Sequence, residues 1–298
     1  MTTLVLGADG QVGSALRTTL GDDGTYVFAS RSDIDLEKPD LIADYLLRKK
    51  PACIVNAAAY TQVDLAESEE EKAFAVNSTA VEILAKYALD YDATLVHYST
   101  DYVFDGETTV PYLETDSPAP INVYGKSKWS GEQKIISSGC RHIIFRTSWV
   151  ISAVGKNFIK TILRLAQERG SLSVVNDQIG SPTSANLIAR VTKEILLSES
   201  KDPIEKGIYH LASSGVTTWF DVARFAIKTA NERNFKTRCI ESDVLPITTS
   251  QYPLPAPRPR NSKLNTGKLE KILSGGLPRW ERCVEEVVRE IVEGEVEL

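Results

Sequence analysis

Short apolar runs separated by amphipathic stretches set the rhythm of the first half of the chain. Residues 3–6 form an apolar run, and a glycine-rich turn leads into a helical pattern that continues to about residue 20. Residues 25–30 read as a second strand, 41–49 as a helix, 53–56 as a third strand and 67–90 as a long helix. Residues 94–98 follow as a fourth strand, 122–137 as a helix and 143–145 as a fifth strand. Strands that alternate with helices need βαβ crossovers, which predicts an α/β protein with a doubly wound parallel sheet covered by helices on both faces. The second half is less regular: helices over 157–168, 183–197, 219–231 and 279–292, and strands over 173–175 and 207–210. The run Pro253-Leu254-Pro255-Ala256-Pro257-Arg258-Pro259-Arg260 breaks regular structure. The expected organisation is a sheet domain over 1–150, joined by a later segment near 172–212, and a smaller α/β part made mainly from 151–298.

Composition narrows the function classes. The 298 residues carry 34 basic and 40 acidic side chains, a net charge of −6, whereas a general binder of nucleic acid or anionic membrane shows a basic excess. We therefore expect no nucleic-acid and no membrane partner. No apolar run reaches spanning length, and the first residues read as a strand with no basic region before it. The four cysteines contain no C-x-x-C pair and the three histidines are scattered, so neither a metal site nor a disulfide framework is expected, and a reducing cytoplasm fits.

The chemistry begins at Gly7, Gly10 and Gly13, which form G-x-x-G-x-x-G directly after the first strand and before the first helix. Small residues there let the backbone approach a pyrophosphate at a helix N-terminus, so the sheet domain reads as a Rossmann-type dinucleotide-binding domain. The second strand ends in Ala29-Ser30-Arg31-Ser32-Asp33-Ile34-Asp35. A carboxylate at this place takes a ribose 2′-hydroxyl and an arginine accommodates a 2′-phosphate. Arg31 favours NADPH, while Asp33 and Asp35 keep NADH open.

Tyr-x-x-x-Lys puts both side chains on one helix face, and the chain has two such pairs, Tyr45/Lys49 and Tyr124/Lys128. The first falls in a crossover helix and reads as structural. The second follows the fourth strand, whose carboxyl end carries Ser99-Thr100-Asp101, the end at which such sheets bind ligands. A free tyrosine, with a pKa of about 10, is a poor acid–base catalyst at neutral pH. A nearby ammonium and an oxidised nicotinamide would pull that value down, and Thr100 supplies a hydroxyl for a carbonyl oxygen. The trio Thr100, Tyr124 and Lys128 thus points to hydride transfer to a carbonyl, with Tyr124 giving the proton.

These parts, in this order, resemble the extended short-chain dehydrogenase/reductase superfamily. Further segments narrow the resemblance: residues 56–67 from Asn56 to Glu67, Ser99-Thr100-Asp101-Tyr102-Val103-Phe104-Asp105-Gly106, Arg146-Thr147-Ser148-Trp149, Asn176-Asp177-Gln178 and Arg258-Pro259-Arg260-Asn261-Ser262. Together they are similar to the dTDP-4-dehydrorhamnose reductase family over essentially the whole chain. That resemblance implies NAD(P)H-dependent reduction of the 4-keto group of dTDP-4-dehydro-6-deoxy-L-mannose to dTDP-L-rhamnose, in polysaccharide biosynthesis. It also implies that Gly10, Gln11 and Val12 line the pyrophosphate and that Asp35 and Leu36 flank the adenosine. Ala59, Tyr60 and Thr61 would line the cofactor trough with Tyr98 beside it, and Tyr124 and Lys128 would also hold the nicotinamide ribose. Thr100, Asp101 and Trp149 would meet the sugar, Trp149 by packing its ring on a sugar face. In the segment from Arg258 to Asn261, two proline-fixed arginines would grip the diphosphate. Some relatives hold magnesium at a dimer contact through a glutamate two residues beyond the glycine loop. Ala15 stands there in this chain, so a metal-free monomer or weak homodimer is expected.

Three other roles share the fold. Another nucleotide-sugar 4-keto reductase would need the same trio. A nucleotide-sugar dehydratase follows its active-site threonine with Asp-Glu, whereas Thr100 is followed by Asp101 and Tyr102. An NADP-binding regulatory subunit of a methionine adenosyltransferase needs no catalytic trio, and an intact Thr100, Tyr124 and Lys128 argues for chemistry.

Overall fold

A computed structural model describes residues 2–21, 24–199 and 204–294. The first half runs β1 (Thr3–Leu6), α1 (Gln11–Leu20), β2 (Tyr26–Ala29), α2 (Pro39–Lys49), β3 (Cys53–Asn56), α3 (Val63–Ala66), α4 (Glu70–Phe74) and α5 (Ala80–Asp90). It continues through β4 (Thr94–Thr100), α6 (Val123–Ser138) and β5 (Arg141–Thr147). The second half comprises β6 (Val150–Ile151), α7 (Phe158–Glu168), β7 (Leu172–Val175), β8 (Ile179–Gly180), β9 (Thr183–Ser184), α8 (Ala185–Glu199) and β10 (Gly207–His210). Then come β11 (Thr217–Thr218), α9 (Trp219–Glu232), β12 (Val244–Ile247), α10 (Gly267–Glu270) and α11 (Trp280–Glu293).

The main sheet has six strands in the order β10-β5-β4-β3-β1-β2, and every neighbouring pair is parallel. Its central strands are apolar without alternation because both faces are covered: Leu4, Val5, Ile54, Val55, Leu95 and Val96 are all inaccessible to solvent. One face packs on α2 and α5 through Ile42, Leu46 and Leu84. The other packs on α1 and α8 through Leu16 and Ile188, and that core continues into α9 and α11 through Val222, Val284 and Val288. From β1 the chain steps outward to β2 and then returns to β3 on the other side of β1. A crevice opens at the carboxyl ends of β1 and β3, where such sheets place ligands.

Two sequence expectations change. The stretch that rejoins the sheet is α8 and β10, whereas β7 at residues 172–175 pairs with β12 in a separate two-stranded sheet. The helix expected over 67–90 is divided: α4 and α5 are joined by a π-helical turn over Ala75–Thr79. The wider turn places Asn77 inward, 1% exposed, and its contacts bear on the site.

Candidate active site

The glycine loop is drawn tightly against the turn after β3. Gly7 has φ +77°, and a Cβ there would stand 2.6 Å from the backbone nitrogen of Ala58. A Cβ on Gly13 would meet the Gly7 carbonyl oxygen at 2.0 Å, so Gly13 serves the close packing of α1 on the loop. No side chain caps α1, which leaves the first N–H groups of this ten-residue helix available to an anion. A trough of about 580 Å³ opens in front of it, with Gly7 and Gly10 at its floor and Ala59, Tyr60 and Thr61 along one wall. Arg31, Asp35 and Leu36 line its far end. Gln11 brings a buried Oε1 with no partner among the described residues, whereas Val12 packs into the core and offers only backbone. The free N–H donors and the close-packed glycines fit a dinucleotide. Arg31 is 75% exposed and reaches Glu37 Oε1 at 2.6 Å and Asp35 Oδ1 at 3.7 Å, so a 2′-phosphate competes with two carboxylates for it.

Asn77, which sequence reasoning missed, holds the trough wall to the catalytic helix. Its Oδ1 accepts from Tyr60 N at 2.9 Å, and its Nδ2 donates to Tyr60 O and Ser127 Oγ, both at 3.0 Å. Helix α6 starts at an asparagine cap, Asn122 Oδ1 accepting from Gly125 N at 2.8 Å. Gly125 lets the helix approach so closely that a Cβ would lie 2.1 Å from Tyr102 O.

These constraints bring Thr100, at the end of β4, to Tyr124 on α6. The Thr100 hydroxyl lies beside the Tyr124 phenol, near enough to act against the rise of its pKa. It donates to Asp101 Oδ1 at 2.9 Å and accepts from Tyr102 N at 3.1 Å. Burial pushes the Tyr124 phenol well above its ordinary value, against the pull of the Thr100 hydroxyl, so it is protonated at neutral pH as a proton donor must be. Asp101, 3% exposed, is pushed up to about 6 by burial, with the nearby Ser262 hydroxyl and the Thr100 hydrogen bond acting the other way. Lys128, 2% exposed, is pulled down to about 8 by burial, while the neighbouring Glu132 acts upward. Its ammonium was expected to lower the Tyr124 value. Instead Lys128 is turned toward β4, with Nζ 2.6 Å from Tyr98 O and 3.2 Å from His97 Nε2. Glu132 itself is buried against Arg146, which donates from Nη2 to its Oε2 at 2.6 Å and from Nε to its Oε1 at 3.0 Å.

The remaining candidates fall differently. Tyr98 lies on the sheet face away from α6: its hydroxyl bonds Thr192 Oγ1 at 2.7 Å and its ring stacks on Phe145, so only its carbonyl serves the site. Trp149, with φ +47° after β5, is 9% exposed and stacks on Trp219 with ring centroids 3.7 Å apart. The backbone of Gly180 rests against the same ring, so the expected sugar-stacking face is covered and an edge is what remains. Arg258 does not offer a free fork. It bonds Asp64 Oδ2 at 2.8 Å and Ala256 O at 2.8 Å, pinning the proline segment to α3. Asn261 is spent on structure, donating to Thr108 O and Val110 O while accepting from Lys263 N. Tyr45 and Lys49, the other pair, sit on α2 with the tyrosine buried in the core and the lysine 5.5 Å above its ring, away from the carboxyl end of β4.

A parallel sheet with a glycine loop at its crevice and a Thr–Tyr–Lys trio at the end of β4 defines an oxidoreductase of the short-chain dehydrogenase/reductase class. Within it the chain belongs to the family described as RmlD substrate binding domain, which matches residues 1–293. It is 43% identical over 295 residues to a dTDP-4-dehydrorhamnose reductase of Salmonella typhimurium, and 42% identical over 295 residues to one of Escherichia coli K12, in each case covering 98% of both chains. Among solved structures it superposes on a dTDP-4-dehydrorhamnose reductase from Clostridium acetobutylicum with TM-score 0.89 and 30% identity, covering 98% of this chain and 99% of that one. The corresponding figures for the Bacillus anthracis enzyme in complex with NADP are 0.87, 32%, 97% and 100%.

Proposed function

We propose that this chain uses NADPH, and NADH as a second choice, to reduce the 4-keto group of dTDP-4-dehydro-6-deoxy-L-mannose to dTDP-L-rhamnose. The observation that carries the reading is the placement of Thr100 at the carboxyl end of β4 beside Tyr124 on α6, with Lys128 one helical turn further on, in a chain of this family. The N-terminus of α1 with Gly10 and Gln11 would hold the pyrophosphate, Asp35 and Leu36 the adenosine, and Arg31 a 2′-phosphate. The bound cofactor supplies the hydride that the carbonyl carbon accepts. Tyr124, kept as a phenol by burial, gives its proton to the carbonyl oxygen, and the Thr100 hydroxyl, turned from Asp101 Oδ1, holds that oxygen in line. Lys128 stabilises the phenolate left behind once its amine carries a proton. Trp149 meets the sugar by its edge. Arg260, exposed and in no ion pair among the described residues, is a freer cation for the diphosphate than Arg258, which Asp64 already holds. No described helix is long and apolar enough to cross a membrane. The four cysteines are all free, which supports the cytoplasm as the setting. For the quaternary state we keep a monomer or weak homodimer.

The test is turnover of the 4-keto sugar nucleotide, made in situ, with each reduced nicotinamide. Absorbance at the reduced-nicotinamide band and product mass are followed together. One cofactor oxidised per sugar reduced is the expected result. Loss of water from dTDP-glucose with no net cofactor consumption would overturn it.

A further inference from the structure

Behind Lys128 lies a chain of buried polar groups that the reaction described above does not use. Asn56 ends β3 and pairs in register with His97 on β4. Both are sealed from solvent, at 1% and 0% exposure. The Asn56 side chain is oriented by backbone, because Ala58 N donates to its Oδ1 at 3.2 Å. The opposite atom, Nδ2, therefore faces His97 Nδ1 at 3.1 Å. An amide NH₂ has only protons to give, so Nδ1 accepts, and a neutral imidazole that accepts at Nδ1 carries its proton on Nε2. Burial holds His97 neutral. Its Nε2–H then points at Lys128 Nζ, 3.2 Å away.

We propose that His97 is a positioning residue for Lys128, fixed by Asn56 in the Nε2–H tautomer so that it presents a donor to the lysine nitrogen. That contact closes only when Lys128 is a free amine with a lone pair to accept, while the same nitrogen donates to Tyr98 O. An ammonium meets the ring proton head-on. Relief requires the ring to move its proton to Nδ1 and the Asn56 amide to turn over, which takes the acceptor away from Ala58 N–H. Ala58 lines the cofactor trough, so the charge on Lys128 is tied to the trough backbone through three side chains. The other charged or titratable groups facing Lys128 are Glu132, one turn along α6, and Tyr124 on the same helix. Arg146 on β5 neutralises Glu132, and the Tyr98 phenol on β4 is turned to Thr192. None of these sets the ring tautomer. The inference rests on Lys128 belonging to the active site, but its first test does not depend on which sugar is reduced.

The experiment labels the full chain with ¹⁵N-histidine and records long-range ¹H–¹⁵N correlations without cofactor at about pH 9.5, above the value of about 8 to which burial brings Lys128, so that the lysine is a free amine. With three histidines the spectrum is simple. His142 is an internal standard of the opposite tautomer, because its Nδ1 faces the Cys140 carbonyl oxygen at 2.9 Å and must donate. His97 is expected protonated on Nε2, and protonation on Nδ1 overturns the proposal. Asn56→Asp keeps an acceptor for Ala58 N–H and offers a second to His97 Nδ1, so its ring is expected to invert. The kcat/KM limb governed by Lys128 should then move to higher pH by about one unit. An inverted tautomer with an unmoved limb refutes the positioning role, and a retained Nε2–H in that variant refutes Asn56 as the holder. If Asn56→Asp does not fold, the wild-type spectrum still decides the tautomer. A failed turnover assay with the Nε2–H tautomer present counts against the reductase reading alone.

Discussion

Replacing Asp101 by asparagine should stabilise the protein at alkaline pH and leave it unchanged in acid. Asp101 is 3% exposed, its Oδ1 takes the Thr100 hydroxyl, and its Oδ2 has no partner among the described residues. Burial lifts its pKa from 3.8 to about 6. The folded chain therefore holds this proton more tightly than the unfolded chain does. The associated stability is fully present below 3.8 and is lost as pH rises through 6. A gap of about two pH units corresponds to about 3 kcal/mol at about 1.4 kcal/mol per unit. Asparagine has nearly the same shape and no charge to desolvate. Urea unfolding of the two full-length proteins across this range should show the variant more stable by about 3 kcal/mol at pH 8, with the difference closing toward zero near pH 4. The same substitution should reduce turnover, because the Thr100 hydroxyl loses the carboxylate that orients it. A variant no more stable at pH 8, or an advantage that survives acidification, would refute the claim that this carboxylate is held at a disadvantage.

Tyr124→Phe should lower kcat by roughly 100- to 10,000-fold with the fold and cofactor binding retained, while Tyr45→Phe should be nearly silent; equal losses would mean that the wrong tyrosine has been assigned. Arg31→Ala should weaken NADPH binding about tenfold or more and leave NADH little changed in calorimetric titrations, whereas Glu37→Gln, which frees Arg31 from its 2.6 Å partner, should favour NADPH by a few-fold. Glu132→Ala should destabilise the chain by about 3–5 kcal/mol in urea unfolding, because it strands the 2%-exposed Arg146 without its counter-charge; a loss under 1 kcal/mol would contradict the buried-pair argument.

The sheet was legible because its strands are buried on both faces and so read as unbroken apolar runs set between amphipathic helices. Gly7, Gly10 and Gly13 were legible because backbone approach demands small residues at fixed spacing, and Tyr124 with Lys128 because helix geometry fixes i and i+4 on one face. What stayed hidden was set by partners far along the chain. Nothing local says that Arg258 will meet Asp64, 194 residues away, or that Asn261 will be consumed by the carbonyls of Thr108 and Val110. Asn77 looked like one more polar position in a long helix, and only the π-helical turn swings it toward Tyr60 and Ser127. Glu132 carried a weak signal, four residues beyond Lys128 on a helix face that also bears Gly125 and Ser127 and is therefore packed. His97, inside an otherwise apolar strand, carried another, because a polar residue at a two-sided burial position must find partners.

The polar groups at the carboxyl ends of β4 and β5 argue against a purely structural reading of the site. Ser99, Thr100, Asp101, Arg146, Thr147 and Ser148 are all at most 6% exposed; Ser99 and Thr100 pair in register with Arg146 and Thr147, and Asp101 and Ser148 follow directly after the two strands. Ser99 Oγ, Asp101 Oδ2, Thr147 Oγ1 and one nitrogen of Arg146 have no hydrogen-bond partner among the described residues. Each such buried group costs on the order of 1–3 kcal/mol relative to a satisfied one, and an apolar side chain of similar size would avoid the loss. The rest of the same strands is mainly apolar: Leu95, Val96, Ile143 and Ile144 fill the sheet interior, and the buried polar exceptions, His97 and His142, have hydrogen-bond partners. A fold that needed only stability would continue that apolar filling to the strand ends. Polar residues held there at a loss, next to a phenol kept protonated and an amine held near the point of titration, are what a site built to move one proton requires.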